Sequence, residues 1–209
     1  MKSITAFWNW VSNNETILRN LQSEKPQIQK LYFFWLEKHL LYYSEGINCI
    51  LIFPKNHRDH VELIISANGN REYFAQVLKL LEDVPSIPFW KFTAFIQPQE
   101  SIDKMETHLE KPYVFKDIHL KASEYIYMTF EYDGIKKINM IVYLKNFTVY
   151  CNNKNLPQVI FITMNDIIGE NFLYRNINFV EIAQIPEEDS GLIYLYDFQF
   201  FIDKMNLSK

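Results

Sequence analysis

Cys49-Ile-Leu-Ile-Phe53, a polar turn, Val61-Glu-Leu-Ile-Ile-Ser66, a helix-like segment and Trp90-Lys-Phe-Thr-Ala-Phe-Ile-Gln-Pro98 read in order as strand, strand, helix, strand. The same order recurs in Tyr125-Ile-Tyr-Met-Thr-Phe130, Ile138-Asn-Met-Ile-Val-Tyr-Leu144, a second helix-like segment and Asn178-Phe-Val-Glu-Ile-Ala-Gln-Ile-Pro186. Short β-branched and aromatic runs bounded by turn residues are the signal of half-buried strands. Asp133-Gly134 between the first two runs of the second unit is a hairpin signal. The segment from Pro157 to Gly169 contains the strand-like Val159-Ile-Phe-Ile-Thr163. Proline at its start, glycine at its end and its length favour a buried helix. Both units therefore read as ββαβ, each final strand stopping at a proline, and the pattern reads as an internal repeat. The expected class is α+β: a mostly antiparallel sheet of about six strands with helices on one face.

Outward from these units, residues 1–46 form an N-terminal helical segment. Phe7, Trp10 and Val11 mark the inner face of a first helix, and Ser12-Asn-Asn-Glu15 reads as a capping box for a second. Pro26 opens a longer helix whose core stripe would be Ile28, Leu31, Tyr32, Trp35, Leu36 and Tyr43, closed by Gly46 as a left-handed cap. Residues 47–98 hold the first ββαβ unit, 99–120 a polar connector with a short strand near Tyr113–Phe115, and 121–209 the second unit with a C-terminal helix. The 209 residues suit a single domain.

Composition narrows the function classes. The net charge is −4 and no Lys/Arg run of nucleic-acid-binding density occurs, so a general phosphate-backbone binder is not expected. Aromatics make up 16% of the chain, but Lys outnumbers Arg 17 to 4, and Ile and Asn are abundant at 25 and 18. Phe, Tyr, Ile, Asn and Lys share AT-rich codons, so the aromatic load is in part a coding effect. No apolar run reaches the length of a membrane span, the start does not read as a secretory signal, and Cys49 and Cys151 belong to no C-x-x-C pair. A cytoplasmic setting is expected, with neither a membrane nor a nucleic acid as partner.

Three polar clusters and one tryptophan are candidate site residues. His57, Asp59 and His60 bring imidazoles and a carboxylate together in one turn, as part of a zinc or iron site would; a hydrated turn has the same composition. Asp166 and Glu170 place two carboxylates four residues apart around a helix end, a pattern suited to acid–base work or to solvated charge. Glu187, Glu188 and Asp189 form an acidic loop available for contact. Trp8 is a contact residue if exposed and a core residue if packed. Phosphate-cradling glycine loops and the G-x-S-x-G nucleophile elbow are absent from the sequence, and no cofactor is implied.

At Phe7-Trp-Asn-Trp10, Leu63-Ile-Ile-Ser-Ala-Asn-Gly69, Trp90-Lys-Phe-Thr-Ala-Phe95 and Asn165-Asp-Ile-Ile-Gly-Glu170, the chain resembles a group of uncharacterised bacterial cytosolic α+β proteins. The resemblance implies a protein partner, as in immunity-like or accessory proteins of bacterial competition, and carries over no catalytic residues. The expectation is a non-enzymatic protein-interaction module. The alternatives are a small hydrolase or ligand-binding enzyme using Asp166 and Glu170 or a metal at His57/Asp59/His60, and a homodimer joined through a sheet face or edge.

Overall fold

The computed structural model describes residues 4–54, 59–98, 105–106, 110–130, 137–187 and 192–207, with side chains through 204. The chain divides into two compact units, Met1–Ile96 and Gln97–Lys209. The class is α+β with N-terminal helices and mostly antiparallel sheets. Among the described residues the strands form three-, two- and four-stranded sheets, where one sheet of about six strands was expected.

The first unit opens with α1 (Ile4–Asn13), α2 (Glu15–Arg19) and α3 (Pro26–Tyr43), followed by β1 (Asn48–Ile52), β2 (Val61–Ser66), α4 (Phe74–Glu82) and β3 (Trp90–Ala94). β2 lies in the middle, antiparallel to β1 and parallel to β3. Leu63 and Ile65 of β2 are fully buried, and their register partners Leu51, Cys49, Phe92 and Ala94 share that sheet face. The opposite face carries Glu62, whose carboxylate pairs with Lys91 Nζ at 2.9 Å and accepts from the Thr93 hydroxyl. β3 ends at Ala94, before the proline expected to stop it. Phe95 takes a left-handed φ of 64° and its ring packs 4.5 Å from Phe74.

Several helix ends differ from the sequence reading. The capping box does not form: α1 runs to Asn13, and Asn14 gives α2 no side-chain cap but donates back to the Trp10 carbonyl at 2.8 Å. Pro26 does open α3, but the helix closes at Ser44 in an extended conformation. Gly46 is not left-handed; a Cβ there would lie 2.0 Å from the Tyr73 ring, so close approach is what demands glycine.

The second unit begins with a short hairpin, β4 (Tyr113–Phe115) and β5 (Ile118–Leu120), inside the stretch read as a connector. It continues with β6 (Ile126–Phe130), β7 (Ile138–Leu144), α5 (Phe147–Tyr150), α6 (Leu156–Ile168), α7 (Glu170–Asn176), β8 (Ile177–Gln184), β9 (Ile193–Tyr194) and α8 (Phe198–Leu207). The sheet order is β8-β7-β6-β9. β7 is antiparallel to β6 and parallel to β8, the pairing seen around β2. The expected turn at Asp133-Gly134 lies outside the described residues. The 157–168 segment is helical, and Gly169 at φ 87° separates α6 from α7. Val159, Ile160, Thr163, Met164, Ile167 and Ile168 turn inward onto a core that includes Tyr127, Met140, Val142 and Phe198.

Trp8 belongs to the core. It is 3% exposed, its ring meets Phe7 and Phe92 edge-on at 4.9 and 5.0 Å, and its Nε1 donates to the Leu80 carbonyl at 2.8 Å. Leu80 lies in the last turn of α4, where carbonyls have no intrahelical donor, so the indole serves as a cap supplied by another helix. Trp10, expected on the core face, is half-buried and stacks on His39 at 4.8 Å. Trp8→Phe should cost about 1–3 kcal/mol from the orphaned carbonyl alone, whereas Trp10→Phe should cost about 1 kcal/mol or less. Urea unfolding of both variants measures the difference; equal losses would contradict this assignment.

Candidate functional site

α3 bears two apolar faces. Leu36 and Leu40 are buried, and α1 and β1 pack against this helix. At about 100° per residue, Leu31, Phe34, Trp35, Lys38, Leu41 and Tyr42 fall within an arc of about 120° on the side opposite that pair. Of these, Leu31, Phe34, Trp35, Leu41 and Tyr42 are 48, 53, 41, 48 and 37% exposed. Phe34 and Trp35 contact each other edge-on at 5.3 Å, and the Lys38 ammonium sits 5.4 Å from the centre of the Tyr42 ring. The stripe is thus a continuous apolar strip with one cation near its middle. Leu31 and Trp35, expected in the core, lie on this outer strip because nearly every position from 31 to 36 is apolar, and periodicity cannot say which side turns inward.

Asp166 and Glu170 come from different helices. Asp166 is half-buried in the last turn of α6, and its Oδ2 accepts from the Tyr113 hydroxyl at 2.9 Å. Burial, then the Asp166 charge, pushes the Tyr113 phenol well above its ordinary value, so the proton stays on tyrosine. Glu170 is fully buried in the first turn of α7. A carboxylate there complements the macrodipole of α7. Gly169 between them is required twice over, by its positive φ and by Pro98, whose Cδ would lie 2.8 Å from an added Cβ. Tyr125, fully buried, lies with its hydroxyl 3.4 Å from Thr163 Oγ1, which donates to the Val159 carbonyl at 3.0 Å. Burial raises the Tyr125 phenol as well. These groups tie β4 and the segment before β6 to α6. The chemistry they display is retention of protons on phenols.

Asp59 and His60 are both exposed. Asp59 lines a hollow of about 180 Å³ together with Arg19, Ser23 and Pro54, and the His60 ring lies 6.5 Å from Phe89. The Arg19 guanidinium is engaged over that same Phe89 ring at 5.2 Å and with Glu15 at 3.7 Å. His57 lies outside the described residues. Among the described residues, no group of three or more His, Cys, Asp or Glu is gathered to hold a metal. Glu187 is exposed just beyond β8, while Glu188 and Asp189 lie outside the described residues. Cys49 and Cys151 are free thiols. Burial, with the nearby Glu37 charge, pushes the Cys49 thiol up to about 12, leaving it a packing residue. In the second unit, Tyr127, Ile193, Asp197, Phe200, Phe201 and Lys204 surround a hollow of about 360 Å³. Desolvation raises the Asp197 carboxyl above its ordinary value.

No helix among the described residues is long and apolar enough to cross a membrane. Comparison with protein-family models, with curated proteins and with solved structures found no match to this chain.

Tyr113→Phe should cost about 1–3 kcal/mol, because it removes one hydrogen-bond donor from the half-buried Asp166 carboxylate. Asp166→Asn keeps an acceptor for the phenol and should cost less. The order of the two urea midpoints tests this, and a neutral Tyr113→Phe would refute the role. A second prediction concerns Asp197. Its raised folded-state value means that its charge opposes folding at neutral pH, and that the opposition fades as pH falls through that value. Asp197→Asn should therefore melt above the parent at neutral pH, and the two should converge in acid; a gap that widens in acid would reverse the sign.

Proposed function

We propose that the chain is a non-enzymatic protein-interaction module whose contact surface is the outer stripe of α3. The observation that carries this reading is the exposure of Leu31, Phe34, Trp35, Leu41 and Tyr42 side by side on one 18-residue helix. Isolated exposed apolar residues need no explanation, but a contiguous strip of this size marks a contact surface. Aromatic residues with few rotamers are well suited to that task, since little side-chain entropy is lost when they dock. Of the polar candidates, Asp166 supports the same conclusion by being engaged, since it accepts from the Tyr113 hydroxyl.

The immunity-like resemblance points to the same kind of work, the binding of another protein. Free Cys49 and Cys151 agree with a reducing, cytoplasmic setting.

Site-specific photocrosslinking in the native cell tests the surface. A benzoylphenylalanine placed at Phe34 or at Leu41 should give a discrete adduct. The same group at Leu78, an equally exposed apolar position on α4, should give none. Adducts that are absent, or identical from all three positions, would overturn this reading.

A further inference from the structure

We infer that the hollow formed by β6, β9 and α8 is a binding site for a small organic cation, an ammonium carried on an apolar body the size of one aromatic ring. The inference concerns the second unit alone and is independent of the docking role proposed for α3.

Two sequence periods build this hollow. Asp197, Phe200, Phe201 and Lys204 are spaced i, i+3, i+4 and i+7, so they share one face of α8 and of the turn that opens it. Tyr127 of β6 is the register partner of Ile193 of β9, and both line the hollow. The walls are held by packing. The Tyr127 ring meets the buried Phe198 edge-on at 5.0 Å, and Phe198 lies 5.2 Å from Phe201. Phe200 and Ile193 are 59 and 48% exposed, so apolar wall remains for a ligand to cover. The space of about 360 Å³ is more than twice the cavity of about 150 Å³ that takes up benzene, and it falls within the range of about 300–1,000 Å³ found for small-molecule sites.

Charge selects the ligand. Asp197 is the acid among the lining residues. Desolvation raises its carboxyl, and among the described residues no ion pair joins it to Lys204. Its field is felt inside the hollow: burial, then the Asp197 charge, raises the Tyr127 phenol. A carboxylate set among aromatic rings in this way favours a ligand that brings a cation. The ammonium donates to Asp197 and faces the rings, while the apolar body covers Phe200 and Ile193. Lys204 stands two turns along α8, about 10 Å of helix axis away, so an ammonium seated at Asp197 need not approach it. The Asp197 charge also opposes folding at neutral pH, the kind of cost that concentrates at binding sites.

Calorimetric titration of the full chain with phenethylamine, phenethyl alcohol and phenylpropionate separates charge from apolar contact, because the three share a ring and a short chain. Phenethylamine should bind at millimolar concentrations or below, about tenfold or more tighter than the alcohol or the acid. Asp197→Asn, which should be the more stable protein, should bring the amine down to the level of the alcohol. Phe200→Ala should weaken amine and alcohol alike while leaving the circular dichroism melt near that of the parent, because that ring is already exposed. Equal affinity for amine and alcohol would overturn the inference, as would the absence of binding by all three at millimolar concentrations. A preference for the acid would assign the hollow to an anion at Lys204 and overturn it too. So would a preference for the amine that survives Asp197→Asn, since the cation would then sit elsewhere.

Discussion

The two larger sheets are organised around a strand that is paired along both edges and has one parallel neighbour, β2 in one and β7 in the other. β2 joins an antiparallel neighbour to a parallel one, and β7 does the same. A strand paired on both sides and covered on a face has few sites for a polar side chain, which is why Val61-Glu-Leu-Ile-Ile-Ser66 and Ile138-Asn-Met-Ile-Val-Tyr-Leu144 read as nearly unbroken apolar runs. The parallel neighbour imposes a second demand. Its chain must return to the starting end of the sheet, and a helical crossover is the usual way to do so. α4 in the first unit, and α5 to α7 in the second, are that return. Their inner faces must then fit the strand they cover.

The polar groups within these frames act where a helix or strand would otherwise leave something unmatched. Trp8 Nε1 satisfies a carbonyl in the last turn of α4. Tyr113 supplies a proton donor to an aspartate in the last turn of α6, where a negative charge faces the unfavourable end of the helix dipole. Glu170 sits one residue past a left-handed glycine and so begins a new helix, at the end where its charge is welcome. The sequence shows two carboxylates four apart and suggests a catalytic pair. The break at Gly169 assigns them to different helices and different tasks.

This contrast shows what could be read in the residues beforehand. Strands β1, β2, β6 and β7 and the helix after Pro157 were legible because short β-branched runs, turn residues and terminal Pro and Gly all agree. Helix ends were less so: Ser12-Asn-Asn-Glu15 has the letters of a capping box, yet α1 ends inside it at Asn13 and α2 starts at Glu15 without a side-chain cap, and Gly46 answers to the Tyr73 ring where a left-handed cap was expected. Such outcomes depend on contacts made by residues distant in sequence, which local pattern does not encode. Trp8 packs fully inward and Trp10 only halfway for the same reason. Either could face inward on a short helix, and the choice was made by Phe92 and the Leu80 carbonyl.

α3 carries the argument furthest. From Leu31 to Leu36 the chain reads Leu-Tyr-Phe-Phe-Trp-Leu, and Leu40, Leu41, Tyr42 and Tyr43 follow. A helix that serves one core needs an apolar arc of about 100° and favours polar residues elsewhere. Here the inner arc is complete with Leu36, Leu40 and their neighbours, and the outer arc is apolar as well. AT-rich coding can raise the number of Phe and Tyr residues in a chain, but it does not by itself align Leu31, Phe34, Trp35, Leu41 and Tyr42 along one strip. The signal available in the sequence was an excess: more apolar positions than a single face can bury. A periodicity search finds one inward stripe in that excess and stops. Counting what remains after that stripe is filled leads to a second apolar surface on the same helix.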